Sequence, residues 1–584
     1  MQAIKAFLAM PRLSSSSPAT YQPLPQTGGN DDDDDNSNHS RHRHLTTSTM
    51  AASEAGVRRL ESHGAAASAL ISFGQFPTQA VHVSPAEDAR LLRRIDLALL
   101  PLMLTVYFLQ ALDKATLSYA SLFGLIDDTH LVGNQFSWLG SIVFLAQLVM
   151  QLPISLALVK LPIGKFTGAM VIAWGVALTA MTWAHDFGRL MAARFFLGAF
   201  EASIGPSFIA MTQMWWRRRE QTLRVGSWYC MNGLTWVFGS LVTYGLARID
   251  SEMKPYQIIF LFFGTITIFV GLVMLYWMPD SPTEARFLTE NDKVLAVSRL
   301  RHNQMGGVSR EWRCDHFIET LTDTKSWLWF AMMFCISVPS NGISTFGPLI
   351  IKSFVSDPFH TVLFNVPIGI SHVIAVSSSA YLSMKWKLKG PVIVVLCVPP
   401  IIGLSILLVY PHDAAHRAVL LTGYFFLSTF TGITPLIYAW SSQNTAGDTK
   451  RKTTSALVFI GASAGNVVGP LLFRPDEAPA FSKGIRVNLG FFAAIAFMAA
   501  LTMFYLASLN RKHGLRRAAL GKSARVVDLS LETAAEAERM ERLQQEAQSE
   551  SGPNGRGNGH ANGKDDKAFL DATDRENEDF VYVY

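Results

Sequence analysis

The chain has 584 residues, of which 49% are hydrophobic and only 16% are charged, and its formal net charge at pH 7 is +5. Soluble globular domains carry about 25% charged residues, so this composition excludes an ordinary soluble protein. The modest positive charge lies in short loops, which excludes a broad nucleic-acid-binding surface and indicates a membrane topology signal. The four cysteines are scattered without zinc-site spacing, and we expect no metal and no cofactor.

Both ends of the chain are polar. Residues 1–90 contain serine runs and the acidic stretch Asp31–Asp35. Segments of low hydrophobicity do not bury enough apolar surface to fold alone, so we predict a disordered tail here. Residues 510–584 begin with basic residues and continue through polar, helix-forming and glycine-rich stretches. We predict that they form a second tail.

Twelve apolar runs lie between the two tails, and each is long enough to cross a bilayer as a helix. They cover about 95–112, 136–158, 166–184, 190–213, 225–247, 257–278, 326–350, 361–383, 391–410, 418–440, 453–473 and 487–508. The long polar segment 279–325 divides them into two sets of six. We therefore predict an all-α membrane protein with one six-helix bundle over 91–278 and another over 326–509.

Lysine and arginine are distributed unevenly between the alternate loops. One set of loops and flanking segments holds 26 of these residues and the other set holds 9. Because basic loops stay on the cytoplasmic side, we predict a multi-pass protein with both termini and the central segment 279–325 in the cytoplasm. Within that segment, Thr289 precedes a short amphipathic run, which predicts a capped helix.

Spans 10 and 11 form a hairpin around a short polar, basic turn. Gly461, Gly465 and Gly469 recur at a spacing of four in span 11, which places them on one helix face. Small residues on one face allow two helix backbones to approach closely in a membrane. We therefore expect the glycines to form a packing ridge. The alternative, which the neighbouring polar residues favour, is a water-filled, functional cavity.

Several polar residues of this hairpin are candidates for substrate binding or gating. Gln443 and Asn444 lie near the end of span 10, and Asn466 lies within span 11. Lys450 and Arg451 lie in the turn between the spans. Polar groups within a membrane need partners or a water-filled cavity, so we assign Gln443, Asn444 and Asn466 to binding or gating and the two basic residues to a cytoplasmic gate.

Span 4 contains the strongest functional pair. Arg194 and Glu201 are seven residues apart, so they project from nearly the same helix face. A buried carboxylate that gains and loses a proton couples a proton to a conformational change. We assign proton coupling to Glu201, with Arg194 as its charge partner or as a contact for an anionic substrate. A purely structural ion pair is the alternative.

Other polar residues in or beside the spans are weaker candidates. Asp113 and Lys114 end span 1, where Lys114 either contacts a substrate carboxylate or belongs to an interfacial pair at the outer mouth. Asn341 contributes to a polar half of span 7, and His372 in span 8 is either a titrating group or a hydrogen-bonded buried histidine. The further residues assigned to the cytoplasmic gate are Arg217, Arg218 and Arg219.

Longer motifs resemble one known family. The stretches WSSQNTAGDTKR at 440–451 and GNVVGPLLF at 465–473, the pattern R-F-x-x-G-x-x-E at 194–201 and the PDSP stretch at 279–282 are similar to those of the fungal allantoate-permease family. This family is the anion:cation symporter branch of the major facilitator superfamily. The resemblance covers about residues 90–510. It departs from related anion transporters at Leu197, where they often carry a further acid.

The resemblance implies the major facilitator fold, with 12 transmembrane helices in two six-helix bundles. It also implies a transporter rather than an enzyme, with proton-coupled uptake of a small organic anion such as allantoate, nicotinate or another vitamin-like carboxylate. Its partners are then an anionic small-molecule substrate, a proton and the lipid bilayer, with no nucleic acid. We expect a monomer in the plasma membrane.

Two alternatives remain from the sequence. One is an exporter of a fungal secondary metabolite, although span 5 reads GSWYCMNGLTWVFGS at 226–240 and lacks the Gly-x-x-x-Gly-Pro-x-x-Gly-Gly run usual in drug antiporters. The other is a nutrient sensor that does not transport. The chain also lacks a phosphate-binding loop for ATP, which favours transport driven by an ion gradient.

Overall fold

The computed structural model describes residues 84–122, 124–132, 135–246, 248–300, 303, 311–352, 365–411, 414–472, 482–523, 528–532, 536, 539–540, 543 and 571–584. Most of the predicted amino-terminal tail therefore lies outside the described residues, as do parts of the central segment and of the predicted carboxy-terminal tail. A helix, or two consecutive helices, occupies each of the twelve predicted spans.

The helices of the first half cover spans 1–6. They are α1 (Pro85–Leu122), α2 (Gln135–Lys160), α3 (Ile163–Ala180), α4 (Phe187–Glu201), α5 (Ile204–Trp215), α6 (Arg218–Tyr229), α7 (Met231–Leu246) and α8 (Pro255–Trp277). Span 4 consists of α4 and α5, and span 5 consists of α6 and α7.

Two short helices follow in the central segment, and seven longer ones form spans 7–12. They are α9 (Glu290–Arg299), α10 (Cys314–Thr322), α11 (Thr324–Lys352), α12 (Asn365–Trp386), α13 (Gly390–Val409), α14 (Arg417–Leu427), α15 (Ile433–Gln443), α16 (Asp448–Val468) and α17 (Ser482–Ala519). Span 10 consists of α14, a 3₁₀ turn at Ser428–Gly432 and α15. Among the described residues, nine helical stretches are long and apolar enough to cross a membrane.

The irregular points of spans 4 and 10 have the same cause. Pro206 follows the break between α4 and α5, and Pro435 follows the 3₁₀ turn of span 10. Proline has no N–H group to donate to the carbonyl four residues earlier, so the helix is interrupted in the turn before it. The two halves of the chain therefore place a helix break at the same position of their fourth spans.

The twelve spans pack as two groups of six. The groups meet along two main seams, α2 against α16 and α7 against α12. In the second seam, the main chains touch at two glycines. A Cβ atom on Gly233 would lie 2.7 Å from the carbonyl oxygen of Gly369, and a Cβ on Gly369 would lie 2.6 Å from that of Gly233. Any side chain at either position would push the two bundles apart.

The predicted glycine ridge packs within the second bundle, against α11. Cβ atoms on Gly461, Gly465 and Gly469 would lie 2.7, 2.6 and 2.4 Å from carbonyl oxygens of α11, in each case on the residues Phe330, Phe334 and Val338. The contacting residues of α11 are also four apart, so the two helices share one repeat. The prediction of a packing ridge is confirmed.

The first part of the central segment, which contains α9, packs beneath the first bundle. Thr289 caps α9 by accepting the N–H of Asp292 at 3.3 Å, as predicted. The fully buried Arg299 at the end of α9 pairs with Asp88 at 2.9 Å and with Glu220 at 2.6 Å. We call the end of the two bundles that carries Arg217–Arg219 and Lys450–Lys452 the basic end.

Candidate functional site

The R-F-x-x-G-x-x-E motif places span 4 against span 2. The Nε atom of Arg194 donates to the carbonyl oxygen of Leu139 at 3.1 Å. One turn later, a Cβ atom on Gly198 would lie only 2.6 Å from the carbonyl oxygen of Val143. The motif therefore sets a close contact between α4 and α2, and this contact fixes where Arg194 and Glu201 project inside the first bundle.

Glu201 forms its ion pair with span 1. Its Oε1 atom lies 2.9 Å from Nζ of Lys114, and the side chains are 0% and 39% exposed respectively. The sequence interpretation placed Asp113 and Lys114 at the end of span 1, but α1 continues to Leu122, so both residues lie inside the helix. Lys114, rather than Arg194, is the cation that contacts Glu201.

Asp113 completes a group of four charges. It is fully buried, and Glu201, Arg194 and Lys114 all lie within electrostatic range of its carboxylate. Trp174 lies nearby without hydrogen-bonding geometry, and neither the Asp113 oxygens nor Nη1 of Arg194 has a hydrogen-bond partner among the described residues. We call Asp113, Lys114, Arg194 and Glu201 the charged cluster. Its two acids and two bases balance formally.

Aromatic residues lie between the charged cluster and the basic end. Tyr107 is six residues before Asp113 on α1, and its ring lies 4.7 Å from that of Trp228 in span 5. In the second bundle, Tyr438 of α15 stacks on Phe459 of α16 at 4.6 Å. The ring of Phe459 in turn lies against Gly205 of α5, so the aromatic residues of the two bundles converge.

The two bundles are joined by hydrogen bonds at the basic end. Gln213 of α5 donates to the carbonyl oxygen of Ser442 at 2.8 Å. Gln443 of α15 donates to the carbonyl oxygen of Arg218 at 2.6 Å and to the hydroxyl of Thr222 at 3.2 Å. These polar groups close the basic end. The predicted candidate Gln443 therefore lies in a contact between bundles, at a distance from the charged cluster.

Each residue assigned to the gate contacts a carboxylate. Those of the first bundle are Arg217 with Asp88 at 3.3 Å, Arg218 with Asp528 at 3.6 Å and Arg219 with Glu536 at 3.2 Å. Those of the second bundle are Lys450 with Glu319 at 2.7 Å and Asp323 at 3.0 Å, and Arg451 with Asp448 at 3.3 Å. None of these pairs joins a side chain of one bundle directly to one of the other.

The remaining candidates lie in the second bundle in separate contacts. Asn341 donates from Nδ2 to the carbonyl oxygen of Asn466 at 2.6 Å, which ties α11 to α16. His372 packs its ring 6.4 Å from that of Phe430. Asn444 is fully buried and binds the main chain of Val583. The structure thus brings the four members of the charged cluster together, whereas the amide side chains and the histidine form contacts elsewhere.

One interaction was not anticipated from the sequence. Residues 571–584 pack against the basic end, and the fully buried Asp574 lies 2.5 Å from Lys325 and 2.9 Å from Lys450. The sequence signal for this contact is weak: the acidic segment ends in the aromatic and aliphatic residues FVYVY at 580–584. A carboxylate that pairs with lysines more than a hundred residues away has no local sequence pattern.

Comparisons with known proteins agree with this architecture. The family model described as Major Facilitator Superfamily matches residues 103–470. An uncharacterised transporter of Schizosaccharomyces pombe is 33% identical over 414 residues, covering 70% of this chain and 80% of the relative. The allantoate permease of Saccharomyces cerevisiae is 29% identical over 423 residues, covering 70% and 77%.

Among solved structures, the proton:xylose symporter XylE bound to 6-bromo-6-deoxy-D-glucose aligns with a TM-score of 0.54 at 13% identity, over 70% of this chain and 95% of that chain. This likeness shows the fold. The predicted fold class and the predicted resemblance to the allantoate permease are confirmed, and so is a transporter rather than an enzyme. The chain belongs to the major facilitator superfamily, among its fungal allantoate-permease-like members.

Proposed function

We propose that this protein is a proton-coupled carrier that takes up a small organic anion by alternating access, at the plasma membrane and with the basic end in the cytoplasm. The observation that carries the proposal is the ion pair between Lys114 and Glu201, separated by 2.9 Å. One partner is half-exposed and the other is fully buried. The pair therefore joins a solvent-accessible cation to a carboxylate inside the protein.

Coupling follows from competition for Lys114. While Glu201 is ionised, it holds the lysine ammonium. A buried carboxylate is stable when paired with a cation or when protonated, so a proton on Glu201 releases Lys114 for the carboxylate of a substrate. The proton and the anion then enter together, and the cluster of two acids and two bases gains no net charge.

Arg194 supplies the second contact for an anion in this scheme. Its Nε atom is held by the carbonyl oxygen of Leu139, which leaves the far side of the guanidinium, including Nη1, to face a ligand. A planar guanidinium binds a carboxylate through two parallel hydrogen bonds. Asp113 keeps the arginine charged and balanced while no substrate is bound.

The substrate class is supported by the cluster and by the relatives. Two cations at one site suit a carboxylate, and the relative from Saccharomyces cerevisiae is named for allantoate, an anion. The aromatic residues Tyr107 and Trp228, next to the cluster on the side of the basic end, suit a flat group such as an amide, ureido or ring system. We propose a small planar carboxylate, with allantoate and nicotinate as members of this class.

The test is uptake into proteoliposomes under an imposed pH gradient, with a panel of radiolabelled carboxylates. An inward proton gradient should drive accumulation of at least one of them. Glu201→Gln should abolish accumulation while exchange of substrate across the membrane persists, because the neutral side chain mimics the protonated state. Glu290→Gln, on the surface with a side chain 66% exposed, is the matched control and should behave as wild type.

Accumulation by Glu201→Gln at the wild-type level would remove Glu201 from the coupling mechanism. Accumulation driven only by an outward proton gradient would instead indicate an exporter. Current measurements distinguish electroneutral transport from the transport of net charge. One proton moving with one monovalent anion should produce no current.

A further inference from the structure

Residues 571–584, which we call the tail segment, are bound to the basic end like a peptide ligand. Phe580, Tyr582 and Val583 are exposed by no more than 3%. The segment is acidic, with five carboxylate side chains and one arginine. It therefore combines a few deeply buried apolar side chains with a strong negative charge, and the surface beneath it is basic.

Asp574 is the central anchor of the tail segment. Its carboxylate lies 2.5 Å from Nζ of Lys325 and 2.9 Å from Nζ of Lys450, and the hydroxyl of Tyr582 donates to it at 2.9 Å. All four side chains are almost completely buried. Burying a charge is costly unless it is paired. The two lysines come from different helices, α11 and α16, and they pair with Asp323 of the second bundle as well as with this carboxylate.

Two asparagines bind the main chain of the tail segment. Asn510 contacts both the N–H and the carbonyl of Tyr582, each at 2.8 Å. Asn444 contacts both main-chain groups of Val583, at 2.8 and 3.0 Å, and Trp440 donates to the same carbonyl at 2.8 Å. Paired main-chain hydrogen bonds of this kind are typical of peptide recognition.

The tail segment also contacts the first bundle, through Arg218. The Nη1 atom of Arg218 donates to the carbonyl oxygen of Val581 at 3.0 Å, and the guanidinium lies 4.3 Å above the ring of Phe580. The carbonyl oxygen of the same arginine accepts the hydrogen bond from Gln443 that joins the bundles. When the basic end opens, Arg218 must move away from Gln443 and lose its contacts to the tail segment.

We propose that the basic end carries a second binding site, separate from the charged cluster, whose ligand is an acidic, aromatic peptide and whose occupancy holds the basic end closed. The chain supplies this ligand itself as the tail segment. Hydrogen bonds, ion pairs and apolar packing hold this segment in place. In this proposal its docking is reversible.

The experiment measures how fast a cysteine at the gate reacts with a maleimide in nanodiscs. Ser442→Cys places the reporter where the bundles meet, since the carbonyl of Ser442 accepts from Gln213. Cys314→Ser removes the exposed native cysteine, and the fully buried Cys397 of α13 remains as an internal folding control. Mass spectrometry quantifies labelling at each cysteine separately.

In this background, Asp574→Asn and deletion of residues 571–584 should each raise the labelling rate of Ser442→Cys about tenfold or more, which corresponds to a shift of about 1.4 kcal/mol in the gate equilibrium. A synthetic peptide of residues 571–584 at millimolar concentration should restore slow labelling of the deletion variant. Glu576→Gln makes the same acid-to-amide change at a half-exposed position, and its rate should not change.

An unchanged labelling rate after deletion would overturn the proposal, since the gate would then close without the tail segment. Labelling of Cys397 that rises in parallel would also overturn it, because the segment would then be a part of the fold. Failure of the peptide to slow labelling excludes a binding site for it. The assay needs neither a substrate nor a proton gradient, so its outcome is independent of the proposed transport reaction.

Discussion

The Nζ atom of Lys114 and the Oε1 atom of Glu201 lie 2.9 Å apart, although the lysine side chain is 39% exposed and the glutamate is fully buried. The pair therefore lies across the boundary between solvent and protein. In the proposed mechanism, Lys114 is therefore the residue through which substrate binding and proton binding influence each other.

Lys114→Met should raise the KM for the transported anion about tenfold or more, because a hydrogen bond to a charged group is worth roughly 1.5–3 kcal/mol. It should also flatten the dependence of uptake on external pH, since in the proposed mechanism the proton on Glu201 acts by releasing Lys114. Initial rates at several pH values test both effects. Lys254→Met removes another lysine–carboxylate pair, with Asp128 on the surface, and should leave both parameters unchanged. A variant with wild-type pH dependence would contradict the coupling role of Lys114.

Arg194→Lys should impair anion binding although it keeps the charge. The guanidinium of Arg194 holds the carbonyl of Leu139 with one atom and presents others to the cluster, and one ammonium group does not reproduce this fork. We expect the KM to rise about tenfold, with folding intact by size-exclusion chromatography. Arg189→Lys, at an exposed site of the same helix, is the control. Equal kinetics for both variants would reduce Arg194 to a general positive charge.

Gly465→Ala should destabilise the second bundle. The added Cβ would lie 2.6 Å from the carbonyl oxygen of Phe334, so α16 must move away from α11. Overpacking of this kind costs about 1–3 kcal/mol, and the midpoint of thermal unfolding in detergent should fall by several degrees. Gly490→Ala in α17 adds the same methyl group to open space and should not lower the midpoint. Equal midpoints for the two variants would show that the ridge is not close-packed.

Gly233→Ala should slow turnover more than it affects substrate affinity. Its Cβ would lie 2.7 Å from the carbonyl oxygen of Gly369 in the other bundle. This contact lies at the seam between the bundles, which is under strain whenever the bundles rearrange. Gly245→Ala, in the same helix, meets nothing within 4 Å and serves as the control. Uptake kinetics should show a lower kcat at an unchanged KM for Gly233→Ala alone. A normal kcat would show that this seam tolerates separation.

Docking of the tail segment should be lost in acid. Burial by itself raises the pKa of Asp574, but Lys325 and Lys450 outweigh it and hold the pKa below its ordinary value. Because docking lowers its pKa, this carboxyl group stabilises the docked state at every pH above its undocked pKa, about 3.9. The stabilisation is lost as the pH falls below that value. Asp323 and Tyr582 face the same lysines and carboxylate, and the pKa of Asp323 is lowered as well.

Binding of a fluorescent peptide of residues 571–584 to the deletion variant measures this effect by anisotropy. Affinity should change little on account of Asp574 between pH 5 and pH 7, and it should fall about tenfold by about pH 2.9, one unit below the undocked pKa. A peptide with Asp574→Asn should bind weakly at every pH. Undiminished binding of the native peptide at about pH 2.9 would contradict the role of this carboxylate.

Local patterns in the sequence predict much of the fold. Apolar runs of bilayer length give the spans, and each of them contains helix. The repeat of Gly461, Gly465 and Gly469 predicts a packing ridge because the helix period alone puts them on one face. The partner helix could not be predicted, since the fit between the ridge and α11 depends on tertiary packing.

The charged candidates were predicted individually, whereas their pairing was not. Arg194 and Glu201 share a helix face, and this suggested that they pair with each other. In the structure Glu201 pairs with Lys114 instead, because α1 extends beyond Asp113 and places the lysine in the bundle. Where a helix ends is poorly specified by apolar content, because charged residues inside a bundle interrupt the apolar run without ending the helix.

The docked tail segment could not be predicted for a related reason. Its composition is that of a solvated acidic segment, and only Phe580, Tyr582 and their neighbours indicate burial. What stabilises it is a pair of lysines on α11 and α16, and these come together only after the second bundle has formed. The sequence places no two of these partners near each other.

The contact between Gly233 and Gly369 joins the two halves of the carrier through peptide groups alone. Most interfaces rearrange by moving side chains from one rotamer to another, and each such change adds a barrier. Bare backbones have no rotamers to change, so a change in the angle between the halves is expected to meet little side-chain barrier at this point. The charged cluster lies in one half and the tail segment contacts both, so a change of angle favoured by one of these sites is expected to affect the other.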